Sequence, residues 1–318
     1  MKTSSLRHAF SAALTLALSG GAAHAQFATL DDPLGTNGTF ANGISSNGTI
    51  VGYYKDAGNN THGFSYDGTS YTTLNDPLGP ANTIARNIDG STIVGQYTDG
   101  SNNTHGFSYD GTSYTTIDAP LGTNGTFAKG ILGNTIVGFY QDSNNVKHGY
   151  SLTGSTFTTL NDPAAGTASF QGTQANGISG SAIVGFYLDS GNSTHGFSLT
   201  GTTYTTFNDP SGTNGTVPQD IFGSTIVGYY NDAGIVTHSF LYDGTSYTNF
   251  DDPLGTNGTL AKGIYGNTVV GHYIDSGGKT HGFTFTTTPE PGSMVLLYGM
   301  SLVGIGLAAR RRKVHKAA

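Results

Sequence analysis

Eight residues, THGFSYDG, stand at 61–68 and again unchanged at 104–111. They mark a period that runs through most of the chain. The prolines of the xDP segments fall at 33, 77, 120, 163, 210 and 253, so the intervals are 44, 43, 43, 47 and 43. His62, His105, His148, His195, His238 and His281 are spaced 43, 43, 47, 43 and 43 residues apart, as are the glycines of the IVG or VVG segments at 52, 95, 138, 185, 228 and 271. A unit this short cannot bury its own faces, so six copies must stack on one another in a line or a ring.

Each unit carries strand signals and no helical periodicity of useful length. In the first copy they are FANGI (40–44), TIVGYY (49–54), HGFSY (62–66) and SYTTL (70–74), with Asp67-Gly68 as a hairpin signal between the last two. Four short antiparallel strands in about 43 residues is the size of a propeller blade. The phase of the ends separates a ring from an open solenoid. FATLDDP (27–33) is an isolated copy of the fourth strand YTTLNDP (71–77), whereas the last unit stops after HGFTF (281–285) without a fourth strand of its own. The two pieces complete one blade, which benefits a ring because it leaves no raw sheet edge. The expected fold is all-β, a six-bladed β-propeller over 26–288 closed by the N-terminal strand. The 47-residue interval places its extra residues in 164–178, in the loop ahead of a first strand.

The repeat text ANGISSNGTIVGYYKDAGNNTHGFSYDG (41–68) resembles the HAF repeat of extracellular bacterial proteins, with His-Gly-Phe in place of His-Ala-Phe. The resemblance covers nearly all of 26–285 and implies an exported repeat protein. The ends agree with export. Lys2 and Arg7 precede the apolar run AFSAALTLALSG, and Ala23-His24-Ala25 supplies a cleavage pattern, so 1–25 reads as a signal peptide cut by signal peptidase. At the other end, Pro289-Glu290-Pro291, the apolar stretch 293–309 and the basic Arg310, Arg311 and Arg312 resemble a PEP-CTERM sorting signal. That resemblance implies a Gram-negative source, processing by an exosortase, transient anchoring of 289–318 in the inner membrane by a transmembrane helix, and release to the cell surface or the extracellular space.

Between these ends stand 19 Asp, no Glu and six cations, a formal charge near −13. Such a surface disfavours nucleic acid and other polyanions. Cysteine and tryptophan are absent, so the fold is not held by disulfides, and the usual tryptophan-based sugar platform is weakened, which leaves tyrosine open for that role.

Two residue types recur with the period and are the candidates for chemistry. The six histidines would form a ring of imidazoles if their strand lined the axis; otherwise each bridges a backbone group and a neighbouring loop. Asp56, Asp99, Asp142, Asp189, Asp232 and Asp275 each stand six residues before a histidine. An Asp here caps its own loop through backbone N–H groups; calcium in an oxygen-rich loop is the competing reading, although the Glu of an EF-hand loop is missing. No nucleophile elbow, cysteine nucleophile, HExxH or phosphate loop is present, so no catalytic residue is assigned. The local breaks in the repeats are Arg86 with Gln96, Pro218-Gln219-Asp220, and His272, which read as drift on a surface. The expected function is a non-enzymatic surface or matrix module binding exopolysaccharide or another envelope component, without a cofactor. The alternative is a carbohydrate-active enzyme, a glycosidase or lyase, working with aspartates.

Overall fold

The computed structural model describes residues 26–287. These residues form an all-β propeller with no helix. An isolated strand β1 (Gln26–Leu30) comes first. The first repeat follows as β2 (Thr39–Ile44), β3 (Ile50–Lys55), β4 (Thr61–Tyr66) and β5 (Tyr71–Leu74). The second is β6 (Thr83–Asp89), β7 (Thr92–Thr98), β8 (Thr104–Tyr109) and β9 (Tyr114–Ile117). The third is β10 (Thr126–Leu132), β11 (Thr135–Gln141), β12 (Lys147–Thr153) and β13 (Thr156–Leu160). The fourth is β14 (Gly172–Ser179), β15 (Ala182–Leu188), β16 (Thr194–Thr200) and β17 (Thr203–Phe207). The fifth is β18 (Thr216–Phe222), β19 (Thr225–Asn231), β20 (Thr237–Tyr242) and β21 (Tyr247–Phe250). The last repeat has β22 (Thr259–Tyr265), β23 (Thr268–Ile274) and β24 (Thr280–Thr286).

Six separate blades are not what the pairing displays. There are four four-stranded sheets and one eight-stranded sheet, which joins the third and fourth repeats. The join is a single parallel pair, Lys147 with Gly172, between β12 and β14. Gly172, with φ of 108°, pairs both with Lys147 and with Leu188, so that β14 starts one residue earlier than the other first strands. The corresponding contact between the first two repeats, Thr61 with Asn82, stays an isolated bridge.

β1 pairs antiparallel with β24 over five residues, from Gln26 with Thr286 to Leu30 with Gly282. The first strand of the described chain thereby becomes the outer strand of the last sheet, in the order β1-β24-β23-β22. Aromatic packing fixes it there. Phe27 stacks on Phe285 at 4.5 Å between centroids and meets Phe283 edge-on at 5.6 Å.

The alternation of strand side chains puts one fully buried valine of each second strand on the face turned to the next repeat. Val51 lies in the apolar cluster of the second repeat with Ala85, Ile88, Ile93 and Phe107. Val94, Val137, Val184 and Val227 do the same in the third, fourth, fifth and sixth. The series ends where it began, because Val270 packs with Leu30, Ala41, Ile44, Ile50 and Phe64 of the first repeat.

The repeated glycine of the second strand serves close packing. A Cβ on Gly95 would stand 2.1 Å from the Ile84 carbonyl oxygen and 2.8 Å from the Phe107 ring. No larger residue fits between the inner strand and the aromatic of the third strand. The Asp-Gly turns are wider than a two-residue hairpin. Asp67 Oδ1 accepts the N–H groups of Thr69 and Ser70, both at 2.8 Å, and so holds a four-residue loop from Tyr66 to Tyr71. The Thr153-Gly154 turn, with no carboxylate, closes in two residues.

Deleting residues 26–33 removes β1 and with it Leu30 from the first repeat's core. The truncated protein should lose hydrogen-exchange protection at 281–285 and much of its cooperative unfolding, and should oligomerise through the bared edge of β24. Protection at 281–285 equal to that of the intact chain would show that β1 does not hold the ring closed.

Candidate functional site

Antiparallel pairing places the loop between second and third strands on the same face as the loop joining one repeat to the next. This face carries all twelve recurrent histidines and aspartates. In the first repeat, Asp56 Oδ1 accepts the N–H groups of Gly58 and Asn60 at 2.8 and 2.9 Å. Its Oδ2 lies 3.2 Å from His62 Nε2. The His62 ring also packs on Tyr54, 5.2 Å between centroids. The same aspartate to histidine contact recurs at 3.5, 3.3, 3.2, 3.6 and 3.4 Å for His105, His148, His195, His238 and His281. The side-chain amide of Asn60 and the surrounding N–H groups hold Asp56 down to a pKa of about 2.

At the other ring nitrogen the repeats diverge. Nδ1 of His105, His238 and His281 faces a second carboxylate, Asp118 at 2.9 Å, Asp251 at 2.7 Å and Asp31 at 2.8 Å. Asn75, Asn161 and Asn208 occupy that place for His62, His148 and His195. Burial alone works to lower the pKa of His238, but the hydrogen bond and charge of Asp251 raise it. The histidines sit on the third strand, away from the inner strands, so they do not make an axial ring.

Calcium does not fit these loops. Each recurrent Asp stands in its own loop with backbone N–H donors turned onto its oxygens, where calcium needs six to eight oxygen ligands. Among the described residues no group of three or more His, Cys, Asp or Glu could hold a metal ion. On this face, Asp99 and Asp118 flank His105, so this pair of carboxylates has an imidazole between its members. The lowered pKa of Asp56, Asp99 and Asp232 is the wrong direction for the proton donor of glycoside hydrolysis.

The xDP segments are turns. The Asp32 N–H donates to Thr39 Oγ1 at 3.0 Å, and its Oδ1 accepts the N–H of Leu34 at 2.8 Å. Ala119 lacks the carboxylate and keeps the first bond, to Thr126 at 2.9 Å. Between these turns and the His-Asp loops lie clefts. One of about 360 Å³ is lined by Asn192, Ser193, Thr194, His195, Asn208 and the glycine turn 212–215. Another of about 350 Å³ lies between Leu78–Asn82 and Thr98–Asn102. The first is lined by amides, hydroxyls, backbone and the His195 imidazole; the second mixes Asn82, Thr98 and Asn102 with Leu78, Pro80, Ala81 and the Asp99 carboxylate.

A second assembly escaped the sequence reading. Every first strand carries a β-bulge, seen as a register shift between Ala41 and Gly43 and at the five equivalent places. A bulge leaves one residue unpaired and re-aims its side chain. The six residues so released, Asn42, Arg86, Lys129, Asn176, Gln219 and Lys262, line one cavity on the axis. The breaks that read as surface drift meet here. Arg86 Nε donates to Gln96 Oε1 at 3.3 Å, and Lys262 Nζ donates to Gln219 Oε1 at 3.4 Å. His272, buried, packs edge-on against Phe40 at 5.1 Å. Asp220 is buried one layer deeper, where its Oδ2 accepts the Ile264 N–H at 3.1 Å and burial pushes its pKa up to about 7.

No family model matches the chain, and no curated protein matches it. The fold has solved counterparts. It is similar to an Aleuria aurantia lectin mutant in complex with Fucα1-6GlcNAc, with 16% identity over 80% of this chain and 98% of that one and a TM-score of 0.54. The same lectin mutant in complex with α-methyl-L-fucoside gives 16% identity over 84% and 97%, again with a TM-score of 0.54. At these identities the likeness is one of fold, and the class it defines is the β-propeller. No helix among the described residues is long and apolar enough to cross a membrane. The predicted signal peptide at 1–25 and the predicted sorting tail, Pro289, Glu290, Pro291 and Arg310 to Arg312 included, lie outside the described residues.

Burial and the nearby Arg86 charge lower Lys262 to a pKa of about 7, against about 10.4 for a free lysine. The folded state thus disfavours the charged form. That penalty is present in full below pH 7 and fades as pH rises from 7 towards 10. Lys262→Gln should therefore raise the melting temperature at pH 6, by at least about 2 °C, and the gain should shrink at pH 9.5. An equal effect at both values would mean that Lys262 is not strained by its charge.

Proposed function

We propose that the chain is an exported, non-enzymatic carbohydrate-binding propeller whose six repeats act as equivalent blades. The observation that carries this reading is that two clefts of about 350 Å³ or more, each with amide and hydroxyl groups in its lining, open between loops on one face of the ring. Amides and hydroxyls match the hydroxyls of a neutral sugar, and two clefts on one rigid body give avidity without a high affinity at either. A domain charge near −13 steers the choice towards neutral glycans over acidic ones. The fold it shares with a lectin crystallised with fucosides supports the reading. The imidazole-bridged carboxylates speak against the glycosidase or lyase alternative.

Calorimetry of the purified chain against neutral oligosaccharides, fucosylated ones included, should show more than one site per chain. Ser193→Trp fills the cleft beside His195 from an exposed position and should lower the stoichiometry while leaving the melting temperature unchanged. Absence of heat with every neutral glycan would remove the lectin reading.

The resemblance of 289–318 to a PEP-CTERM signal, and of the repeats to HAF proteins, supports a mature domain at the cell surface or in the matrix, with exosortase as a processing partner. Removing residues 289–318 should shift the protein from washed cells to the medium or the periplasm in a host that has an exosortase. Unchanged retention would end the sorting assignment without touching the glycan clefts.

A further inference from the structure

We propose that the axial cavity ringed by Arg86, Lys129 and Lys262 is a binding site for one compact anion, a halide or a single carboxylate. Residues 26–287 hold six Lys and Arg, and half of them converge on this one cavity. The other four lining residues are amides, Asn42, Asn176 and Gln219 from the bulges with Asn87 beside them, so no carboxylate lines the cavity. Every ion pair among the described residues joins a histidine to an aspartate, and none involves these three cations. Their protein partners are weak substitutes for a counter-ion. Lys262 Nζ stands 4.4 Å over the Tyr229 ring, and Lys129 Nζ stands 5.4 Å over the Phe139 ring.

Half-buried charges of one sign that face each other without a counter-ion cost folding free energy, and an anion between them would relieve it. Lys129 is held well below the usual lysine range, first by burial and then by the charges of Arg86 and Lys262. The amides supply further donors. Asn42 and Asn176 each spend one amide hydrogen on a carbonyl across the seam, of Ala85 and Pro218, both at 2.8 Å, which leaves each a second.

Size and field select the ligand. The cavity is about 20 Å³, a little more than one water needs. Below it the inner strands close on one another, since a Cβ on Gly43 would meet Asn87 Cα at 2.8 Å and one on Gly177 would meet Asp220 Cα at 2.7 Å. The site is thus a cup that admits one small group and no polymer. The negative domain repels polyanions, so only short-range contacts at the axis draw the ion in.

The charged and titratable groups facing the site are Arg86, Lys129 and Lys262, with Tyr53, Tyr229 and His272 on the neighbouring strands and Asp220 one layer deeper. An anion favours the charged lysines, so binding should tighten as pH falls from 9 to 6.

The test is thermal unfolding of the full chain in sodium chloride and, separately, in sodium acetate, with ionic strength held by sodium p-toluenesulfonate, which stays ionised at both pH values and whose aryl sulfonate is too bulky for the cup. The melting temperature should rise along a saturating curve with at least one of the two, more tightly at pH 6 than at pH 9. Saturation at lower acetate than chloride identifies a carboxylate belonging to a larger ligand, and the reverse order a free halide. Lys129→Gln should weaken the effect on the order of tenfold. Gln219→Glu places a carboxylate beside Lys262, and should raise the melting temperature without anion and abolish the response to it. A linear response shared by both variants, or no response, would overturn the proposal.

Discussion

The structure depends on a side chain that each repeat gives away. Val51 and its equivalents are fully buried, and each is buried in the core of the following repeat instead of its own. No repeat is then complete without a neighbour, and the sequence of loans must either end in an exposed valine or return to its start. It returns, because Val270 finds the first repeat already holding Leu30 from β1. Closing the sheet with an N-terminal strand and closing the core with Val270 are one event seen from two sides. β1 brings Leu30 to the place where the earlier fourth strands bring Leu74 and Ile117.

Much of this was legible before any coordinates. Four strands per unit follow from alternation and turn residues, and ring closure follows from the phase of FATLDDP against the unfinished last repeat. The aspartate to histidine contact was also within reach, since six residues separate the two across one short loop in every copy. The joining of two repeats into an eight-stranded sheet was not. It turns on one glycine, Gly172, whose positive φ extends a strand by a residue, and nothing in the local sequence separates such an extension from a loop.

The axial cavity was hidden for a different reason. A bulge residue occupies one place in the text like any other, so the six positions Asn42, Arg86, Lys129, Asn176, Gln219 and Lys262 read as one variable column. Arg86, Gln219, Asp220 and His272 look scattered along the chain because they belong to different repeats. Only the ring brings them within reach of one another. Residues that break a repeat are therefore informative when the repeat is circular, since all copies of one inner position share a single neighbourhood.

The bulge has one more consequence. A side chain turned out of the sheet stands apart from the valine clusters, so a change of charge or length there is felt at the axis, by the other bulge positions and the rings beside them, and not by the valines. Six such positions, read in sequence around the axis, behave like the tumblers of a lock set in a rigid barrel. The frame dictates where each one stands and leaves its identity open, which lets a uniform scaffold carry an individual combination at its centre.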